Sequence, residues 1–326
     1  MKSRSKTEVT PELASRMTRK AGLGMATEIE PLGAGEFNTV LAVTTEDGKR
    51  YALKVAPSDE SRILTYEKDM MRAEVYWYGV LRDRTDIPVP EIFFSDFSRE
   101  LLPADWFIMQ LIEGTHPEGS TSPSGNSLTR DLTRMAAKMH SVRGDRFGYV
   151  QGEHYDDWYS AVRGMTAALL EDGKRKGVRS RRGEKLLALI DRHRETLEKA
   201  ECCAVNYDLW TPNIIVQGEG EDRKLWWIDP ERTFYGDRVA DFVCFDFFKP
   251  YAEKTAAIDA YNSVAELPVG KSREFEVRWA VMMAYMGLLQ EVEKHYRYTP
   301  FMFGWWRNVI SSGMCYRMAF KVLEAK

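Results

Sequence analysis

The chain has few cysteines, little net charge and no long apolar segment. Four cysteines occur among 326 residues, two of them adjacent at Cys202 and Cys203, and their spacing matches neither a zinc site nor a disulfide framework. We therefore expect reduced core residues. A net charge of −3 argues against a nucleic-acid partner, which usually requires a visibly basic domain. Without an apolar segment there is no membrane span and no signal peptide, so a cytoplasmic protein with no membrane partner is predicted.

The length of the chain predicts two lobes. Beyond about 250 to 300 residues a single hydrophobic core tends to divide. An almost continuous apolar strand over Trp106–Ile112 stops at Gly114, and the segment Thr115–Ser127 after it is rich in Pro, Gly, Ser and Thr. We therefore predict lobes at residues 1–113 and 114–326.

Period-two alternation of apolar residues follows a short amino-terminal helix. The helix is expected over residues 10–25, with Thr10 as its N-cap and Pro11 at its first position. Three antiparallel strands are predicted after it, at Thr27–Leu32, Thr39–Thr45 and Arg50–Ala56.

A glycine-bearing turn lies between the first two of these strands. The backbone N–H groups of Gly33 and Gly35 are suited to lie along a polyphosphate, although a plain hairpin turn is the alternative reading. Because a strand follows these glycines, and not a helix, a dinucleotide-binding fold is disfavoured.

Lys54 lies in the third predicted strand. Alternation places it on the face that carries Ala52 and Ala56, so a partner has room to approach. The helical segment Ser61–Arg84 supplies two acids on one face, and of these we favour Glu74 over Glu67 because it lies deeper in the apolar stretch. The alternative is a solvated lysine and two exposed helix charges.

A second hairpin is predicted from two apolar runs near the middle of the chain. If Ile214–Gln217 pairs with Lys224–Ile228, Asn213 enters the hairpin where Asp229 leaves it. Asp208 lies on the loop that leads in. An amide and a carboxylate at this spacing suit Mg²⁺, which usually takes one or two protein ligands and completes its coordination with water and phosphate oxygens.

Motifs in a fixed order make residues 27–245 similar to the aminoglycoside phosphotransferase and choline kinase family. They are Gly33-Ala34-Gly35, Lys54, Glu74, Phe107–Gly114, Met139-His140, Phe147-Gly148, Asp208–Asn213 and Ile228-Asp229. The resemblance implies an α+β, bilobal, protein-kinase-like fold, with an antiparallel sheet and one key helix in the first lobe and a larger, mainly helical second lobe.

The resemblance also implies that the first lobe binds ATP, with GTP as the alternative nucleotide. The implied binding residues are Gly33, Gly35, Lys54, Glu74, Met109, Gln110 and Ile112. Lys54, held by Glu74, would grip the phosphates, and the backbone of Gln110–Ile112 would hold the adenine. Asn213 and Asp229 would hold Mg²⁺, and Asp208 would take the proton of the acceptor hydroxyl.

One departure from the family pattern precedes Asp208. The chain has Asn206-Tyr207 where the family usually has His-Gly, although asparagine still donates and accepts hydrogen bonds. A catalytically weak, nucleotide-binding regulatory protein is therefore the alternative function. A protein kinase is disfavoured because no separate activation segment follows Asp229. His140, Asp237 and Asp241 are expected to be structural.

The acceptor is expected to be a small hydroxylated molecule, such as an antibiotic, an aminosugar or an amino alcohol. Residues 250–326 contain ten Lys or Arg against eight Asp or Glu, which disfavours a polycation. An aromatic cluster in this region is suited to stack on a flat acceptor, but core packing is the alternative. Its members are Tyr296, Tyr298, Phe301, Phe303, Trp305 and Trp306. No oligomeric state is predicted.

Overall fold

A computed structural model of the chain describes residues 7–32, 37–59, 63–117, 127–219 and 223–325. Internal contacts divide the chain into two units. The first, here called the sheet unit, comprises Met1–Arg62, Asp69–Pro117 and Ile214–Glu231. The second, the helical unit, comprises Ile63–Lys68, Glu118–Asn213 and Arg232–Lys326. The assignment of lobes 1–113 and 114–326 to nucleotide and acceptor binding stays a prediction.

The amino-terminal helix α1 spans Pro11–Lys20 and confirms the predicted start. The Thr10 side chain accepts a hydrogen bond from the N–H of Leu13, and Pro11 occupies the first turn. The helix ends before residue 25 because Gly22 adopts a left-handed conformation with φ of 73°. Its buried residues Ala14 and Met17 join the core on one face of the sheet.

Five antiparallel strands form the sheet in the order β1-β2-β3-β5-β4. The strands are β1 (Ala26–Pro31), β2 (Thr39–Thr45), β3 (Arg50–Val55), β4 (Ile92–Asp96) and β5 (Trp106–Gln110). The three predicted amino-terminal strands are therefore confirmed. Tyr51, Leu53 and Val55 of β3 pack into the core with α1, as alternation predicts.

Helix α2 spans Met70–Arg84, so its predicted start at residue 61 is wrong. A separate 3₁₀ helix, Thr65–Glu67, precedes it. Lys68 is extended and Asp69 is left-handed with φ of 55°, and this break keeps the two helices from joining. Glu67 and Glu74 consequently do not share a helix face, and they belong to different units.

The second predicted hairpin is confirmed. Strand β7 (Ile214–Gln217) pairs antiparallel with β8 (Lys224–Trp227), which ends one residue earlier than predicted. The N–H of Trp227 donates to the carbonyl of Pro88 at 2.8 Å, and Thr115 bridges to Val216. Gly114 is required here, because a Cβ atom at this residue would lie 2.4 Å from the Val216 carbonyl oxygen.

The described part of the helical unit contains the remaining helices and one strand pair. The helices are α3 (Ser127–His140), α4 (Trp158–Arg175), α5 (Arg181–Arg192), α6 (Arg194–Leu197), α7 (Thr255–Asn262), α8 (Arg273–Arg297) and α9 (Phe303–Leu323), and the strands are β6 (Cys202–Val205) and β9 (Phe234–Asp237). Strands β6 and β9 are antiparallel. An antiparallel sheet unit and a mainly helical unit confirm the α+β class.

The composition-based predictions agree with the structure in part. All four cysteines are free thiols, although only Cys203 and Cys315 are fully buried while Cys202 and Cys244 are half-buried. Among the described helices, none combines the length and apolar character that crossing a bilayer requires.

Candidate active site

Lys54 is surrounded by carboxylates within the sheet unit. Its Nζ lies 2.7 Å from the nearer oxygen of Glu74, 2.5 Å from Oδ1 of Asp229 and 3.3 Å from Oε2 of Glu231. The lysine is only 4% exposed and Glu74 only 1%. The ion pair expected between Lys54 and Glu74 is present, and Asp229 joins it.

Local structure explains this convergence. Lys54 extends from the face of β3 that also carries Ala52, whereas Leu53 points into the core beside α1. Glu74 lies in the second turn of α2, and one turn later the Tyr78 hydroxyl accepts a hydrogen bond from the Asp229 N–H at 2.9 Å. Asp229 itself is left-handed with φ of 64° and lies two residues after the end of β8.

The charges around Lys54 are not balanced. Burial disfavours its ammonium form, but Asp229, Glu74 and Glu231 outweigh burial and raise its pKa well above the usual range. Burial raises the pKa of Glu74 to about 8, because one ammonium shared among three carboxylates does not offset the lost hydration. Even with Glu74 protonated, the carboxylates of Asp229 and Glu231 outnumber the single ammonium of Lys54.

Glu231 was missed by the sequence reasoning. Its Oε2 accepts hydrogen bonds from Lys54 and, at 2.9 Å, from Nδ2 of Asn38. The signal available in the sequence was the Asp-Pro-Glu run, which places a second acid two residues after Asp229. Oxygens of Glu74, Asp229 and Glu231 lie within 4.8 Å of one another. Such an oxygen-only set fits a hard cation such as Mg²⁺.

The other predicted nucleotide-binding residues are only partly described. Gly33 and Gly35 lie outside the described residues. Met109 pairs with Ala52 and Ile92 in the sheet, and the N–H of Gln110 donates to the Glu91 carbonyl at 2.7 Å. The strand predicted to reach Ile112 ends at Gln110, where the last ladder pair with β3 lies. The proposed adenine contacts stay a prediction.

Asp208 and Asn213 are brought together within the helical unit. A 3₁₀ turn, Thr211–Asn213, returns the amide to the aspartate, so Nδ2 of Asn213 donates to the Asp208 carbonyl at 3.0 Å and to its Oδ2 at 3.2 Å. The Asp208 side chain is 25% exposed. It is therefore oriented and still open to a ligand.

Asn206 braces this loop from inside. Its Oδ1 accepts from the Asp208 N–H at 3.0 Å, and its Nδ2 donates to the Thr233 hydroxyl at 3.1 Å. Asp241 accepts the backbone N–H groups of Asn206 and Tyr207, and its Oδ2 also contacts Nε2 of the buried His140. The structural roles predicted for His140 and Asp241 are confirmed. Asparagine thus holds the loop with both ends of its amide.

Tyr207 points away from Asp208 and into the core. Its ring packs against Phe234 and Tyr285, and its hydroxyl donates to the Met282 carbonyl at 2.6 Å. Its φ of 62° is left-handed, a conformation that bulky residues rarely adopt. The Tyr207 side chain therefore anchors the loop in the core.

A series of alternating charges continues from Asp208 through the helical unit. Arg232 Nε lies 3.7 Å from Asp208 Oδ2, and Arg232 Nη2 lies 3.2 Å from Glu293. Glu293 also pairs with Arg297 at 3.0 Å, and Arg297 pairs with Glu67. We call these five residues the charge series. From the sequence, only Asp208 and Glu67 were considered as candidate site residues, whereas Glu293 and Arg297 entered only the charge count of residues 250–326.

The carboxy-terminal aromatic cluster is divided between core and surface. Tyr296 is buried, as is Trp158 elsewhere in the unit, whereas Phe301, Phe303 and Trp306 are exposed. Core packing therefore accounts for only part of the cluster.

Comparisons with known proteins agree with this architecture. A family model described as "Phosphotransferase enzyme family" matches residues 28–262. The fold is similar to that of a microcompartment-associated aminopropanol kinase, with 18% identity, 95% of this chain and 98% of that chain covered, and a TM-score of 0.65. A search of curated proteins finds no match.

Two further solved structures are similar. Choline kinase LicA from Streptococcus pneumoniae has 16% identity, coverage of 97% of this chain and 100% of that chain, and a TM-score of 0.60. ADP-bound aminoglycoside phosphotransferase APH(2'')-Ib has 15% identity, coverage of 96% and 99%, and a TM-score of 0.56. At these identities the structural likeness concerns the fold, and it confirms the fold predicted from the sequence.

Proposed function

The chain belongs to the phosphotransferase enzyme family, and from this premise we propose that it transfers the γ-phosphate of ATP to a hydroxyl group of a small molecule. The observation that carries this proposal is the buried Lys54, which Asp229, Glu74 and Glu231 keep charged. A buried ammonium beside an excess of carboxylates is suited to a ligand that brings both polyphosphate oxygens and a divalent cation.

Lys54 exchanges partners when the nucleotide binds. Phosphate oxygens accept from its ammonium in place of Asp229, and Glu74 keeps the side chain in position. Asp229 and Asn213 would each offer an oxygen ligand to Mg²⁺, and Glu231 would add a carboxylate beside Asp229. A cation held there would supply charge neutralisation to the transferred phosphoryl group.

Asp208 orients the acceptor and receives its proton. The carboxylate is fixed by Asn213 through Oδ2, and its backbone is fixed by Asn206. Phosphoryl transfer needs little covalent work from the protein, so orientation of the hydroxyl is the main contribution. The bracing by Asn206 favours an active enzyme over the alternative of a catalytically weak regulatory protein.

The nucleotide and acceptor classes rest partly on similar proteins. The aminoglycoside phosphotransferase of similar fold is ADP-bound, which favours ATP as the donor here. Similar structures include an aminopropanol kinase and a choline kinase, so a small hydroxylated metabolite or antibiotic is the acceptor class we propose.

An acceptor screen tests the proposal. ATP consumption is measured with aminosugars, aminoglycosides, macrolides, nucleosides, amino alcohols, sugars and hydroxy acids, and product masses are determined. We expect Asp208→Asn to lower kcat at least about 100-fold, since a positioned base contributes on the order of 10² to 10⁴. Asp156→Asn, at a side chain that is 86% exposed, is the matched control and should leave kcat unchanged.

Three outcomes would contradict parts of the proposal. Undiminished turnover in Asp208→Asn would remove the catalytic assignment of this residue. ATP binding without phosphorylation of any acceptor would favour the regulatory alternative. Mg²⁺-dependent ATP binding that persists in Asp229→Asn would remove Asp229 from the metal site.

A further inference from the structure

A guanidinium lies beside the residue that would receive the acceptor proton. Arg232 Nε is 3.7 Å from Asp208 Oδ2, and the arginine side chain is 17% exposed. A hydroxyl that donates to a carboxylate lies about 2.7 Å from it. The acceptor atoms next to that hydroxyl therefore come within a few ångströms of the Arg232 guanidinium.

The carboxylate of Glu293 pairs with two arginines. Glu293 contacts both Arg232 and Arg297, and it also lies 3.5 Å from Nδ2 of Asn308. Burial alone would raise the pKa of Glu293, but Arg297 and Arg232 lower it below its ordinary value. The potential at this carboxylate is therefore positive.

The chain around this region contains an acid-free segment. From Lys294 to Leu323 there is no Asp or Glu, whereas five Lys or Arg occur, in a protein whose net charge is −3. The segment begins in the last turn of α8, beside Glu293, and includes Asn308 of α9, which contacts Glu293. An acidic surface able to attract a polycation is absent from this stretch of sequence.

We propose that the acceptor is an anionic hydroxyl compound whose carboxylate or other acidic group lies close to the reacting hydroxyl and binds Arg232. This proposal rests on the proposed function and narrows its substrate class. Guanidinium and carboxylate form paired, charge-assisted hydrogen bonds. The guanidinium of Arg232 attracts a carboxylate at this position and repels an ammonium there.

A purely structural role for Arg232 predicts different kinetics. If Arg232 only orients Asp208, its loss lowers kcat for every acceptor alike. If it binds an acidic group, its loss raises KM for acidic acceptors and leaves neutral ones nearly unaffected. A split between KM and kcat therefore separates the two roles.

Matched acceptor series provide the test. One series is glycerate, glycerol and 2-amino-1,3-propanediol, and the other is glucuronate, glucose and glucosamine. Each is assayed with ATP for kcat and KM, and product masses are determined. We expect the acidic member of at least one series to exceed the amino member by about tenfold or more in kcat/KM, since a charge-assisted hydrogen bond contributes at least this factor.

Variants then assign the preference to Arg232. Arg232→Gln should abolish the acidic preference through KM, and Arg232→Lys should restore part of it because the charge returns without the planar fork. Arg194→Gln, which removes an exposed arginine paired with Glu198, is the matched control and should keep the preference.

Binding measurements keep the proposal testable if none of these probes is phosphorylated. The shift in thermal unfolding midpoint is measured with each probe on the wild type and on Arg232→Gln. A shift with the acidic probes that disappears in Arg232→Gln supports the proposal, and no shift with the acidic probes overturns it. A preference for the amino members also overturns the proposal of an anionic acceptor, but it does not contradict the proposed function. Failure of the broader acceptor screen counts against the proposed function itself.

Discussion

Lys54 in the sheet unit and Lys254 in the helical unit are both buried, yet their pKa values move in opposite directions. Burial disfavours the charged form of each. Three carboxylates raise the pKa of Lys54 well above its usual range. Lys254 is faced by the carbonyls of Phe245 and Asp246, and burial lowers its pKa to about 7 despite the nearby Asp246 side chain.

The difference agrees with the role that we propose for Lys54, which is to bind a ligand, whereas the contacts of Lys254 are all within the fold. A permanently charged ammonium can bind an anionic ligand without first taking up a proton. Lys254 instead donates to two backbone carbonyls, and a neutral amine also has N–H groups for both of these hydrogen bonds. Burial of a lysine therefore does not identify function, but the charge of its partners does.

The largest expected effect is on catalysis. Lys54→Met should lower kcat/KM for ATP by at least about 100-fold, because it removes the cation that holds the phosphates. Lys254→Met should leave kcat/KM within about twofold, since no ligand contact is assigned to it. Steady-state kinetics on the acceptor found by screening measures both.

A folding control accompanies this comparison. Lys54→Met leaves three carboxylates without their cation, and the loss of one partner of a buried ion pair costs about 3 to 5 kcal/mol. Lys54→Met/Glu74→Gln replaces the most deeply buried of these acids with a neutral amide and should recover part of the stability without recovering activity. Recovery of activity in the double variant would contradict the role of Lys54.

The next effect concerns pH and stability. The pKa of Lys254 is about 7 in the folded chain and has an ordinary value of 10.5, so the folded state binds fewer protons between these values. The contribution of Lys254 to the free energy of unfolding should therefore rise from pH 7 to 10, by up to about 1.4 kcal/mol per pH unit. Denaturant unfolding at several pH values measures this rise.

Substitution isolates the contribution of Lys254. Lys254→Met should lack this part of the rise, whereas Lys54→Met should retain it. Equal pH slopes in the wild type and Lys254→Met would show that Lys254 is charged in the folded chain.

The smallest expected effect compares two substitutions of polar residues that should cost similar amounts of stability. Asn206→Ala should cost about 1 to 2 kcal/mol of stability and lower kcat about tenfold, because the Asp208 loop loses its brace. Thr10→Ala removes the N-cap of α1 and should cost about 1 kcal/mol with kcat unchanged. Equal kcat values in the two variants would mean that the Asp208 loop needs no brace.

Local patterns made the sheet unit predictable. Alternation in β3 fixed the face of Lys54, and the hairpin formed by β7 and β8 followed from two apolar runs separated by a turn. The break before α2 was not predictable in this way, because it depends on the backbone conformations of Lys68 and Asp69. The helical pattern of apolar residues in the sequence shows no interruption at this break.

The charge series was not predictable from the sequence. Arg232 is 61 residues from Glu293, and Arg297 is 230 residues from Glu67, so no spacing rule connects them. Glu231 could have been predicted, since it lies only two residues after Asp229 in the sequence. The other contacts of the charge series arise from tertiary packing, which brings together residues that are distant in sequence.

Tyr207 restricts how this chain can evolve. Glycine would relieve its left-handed backbone by about 1 to 2 kcal/mol. Glycine would also empty the space beside Phe234 and Tyr285, and loss of a buried aromatic ring costs about 3 to 5 kcal/mol. Glycine at this position therefore becomes neutral only if neighbouring side chains enlarge to fill the space, so the packing of the tyrosine ring opposes its own replacement.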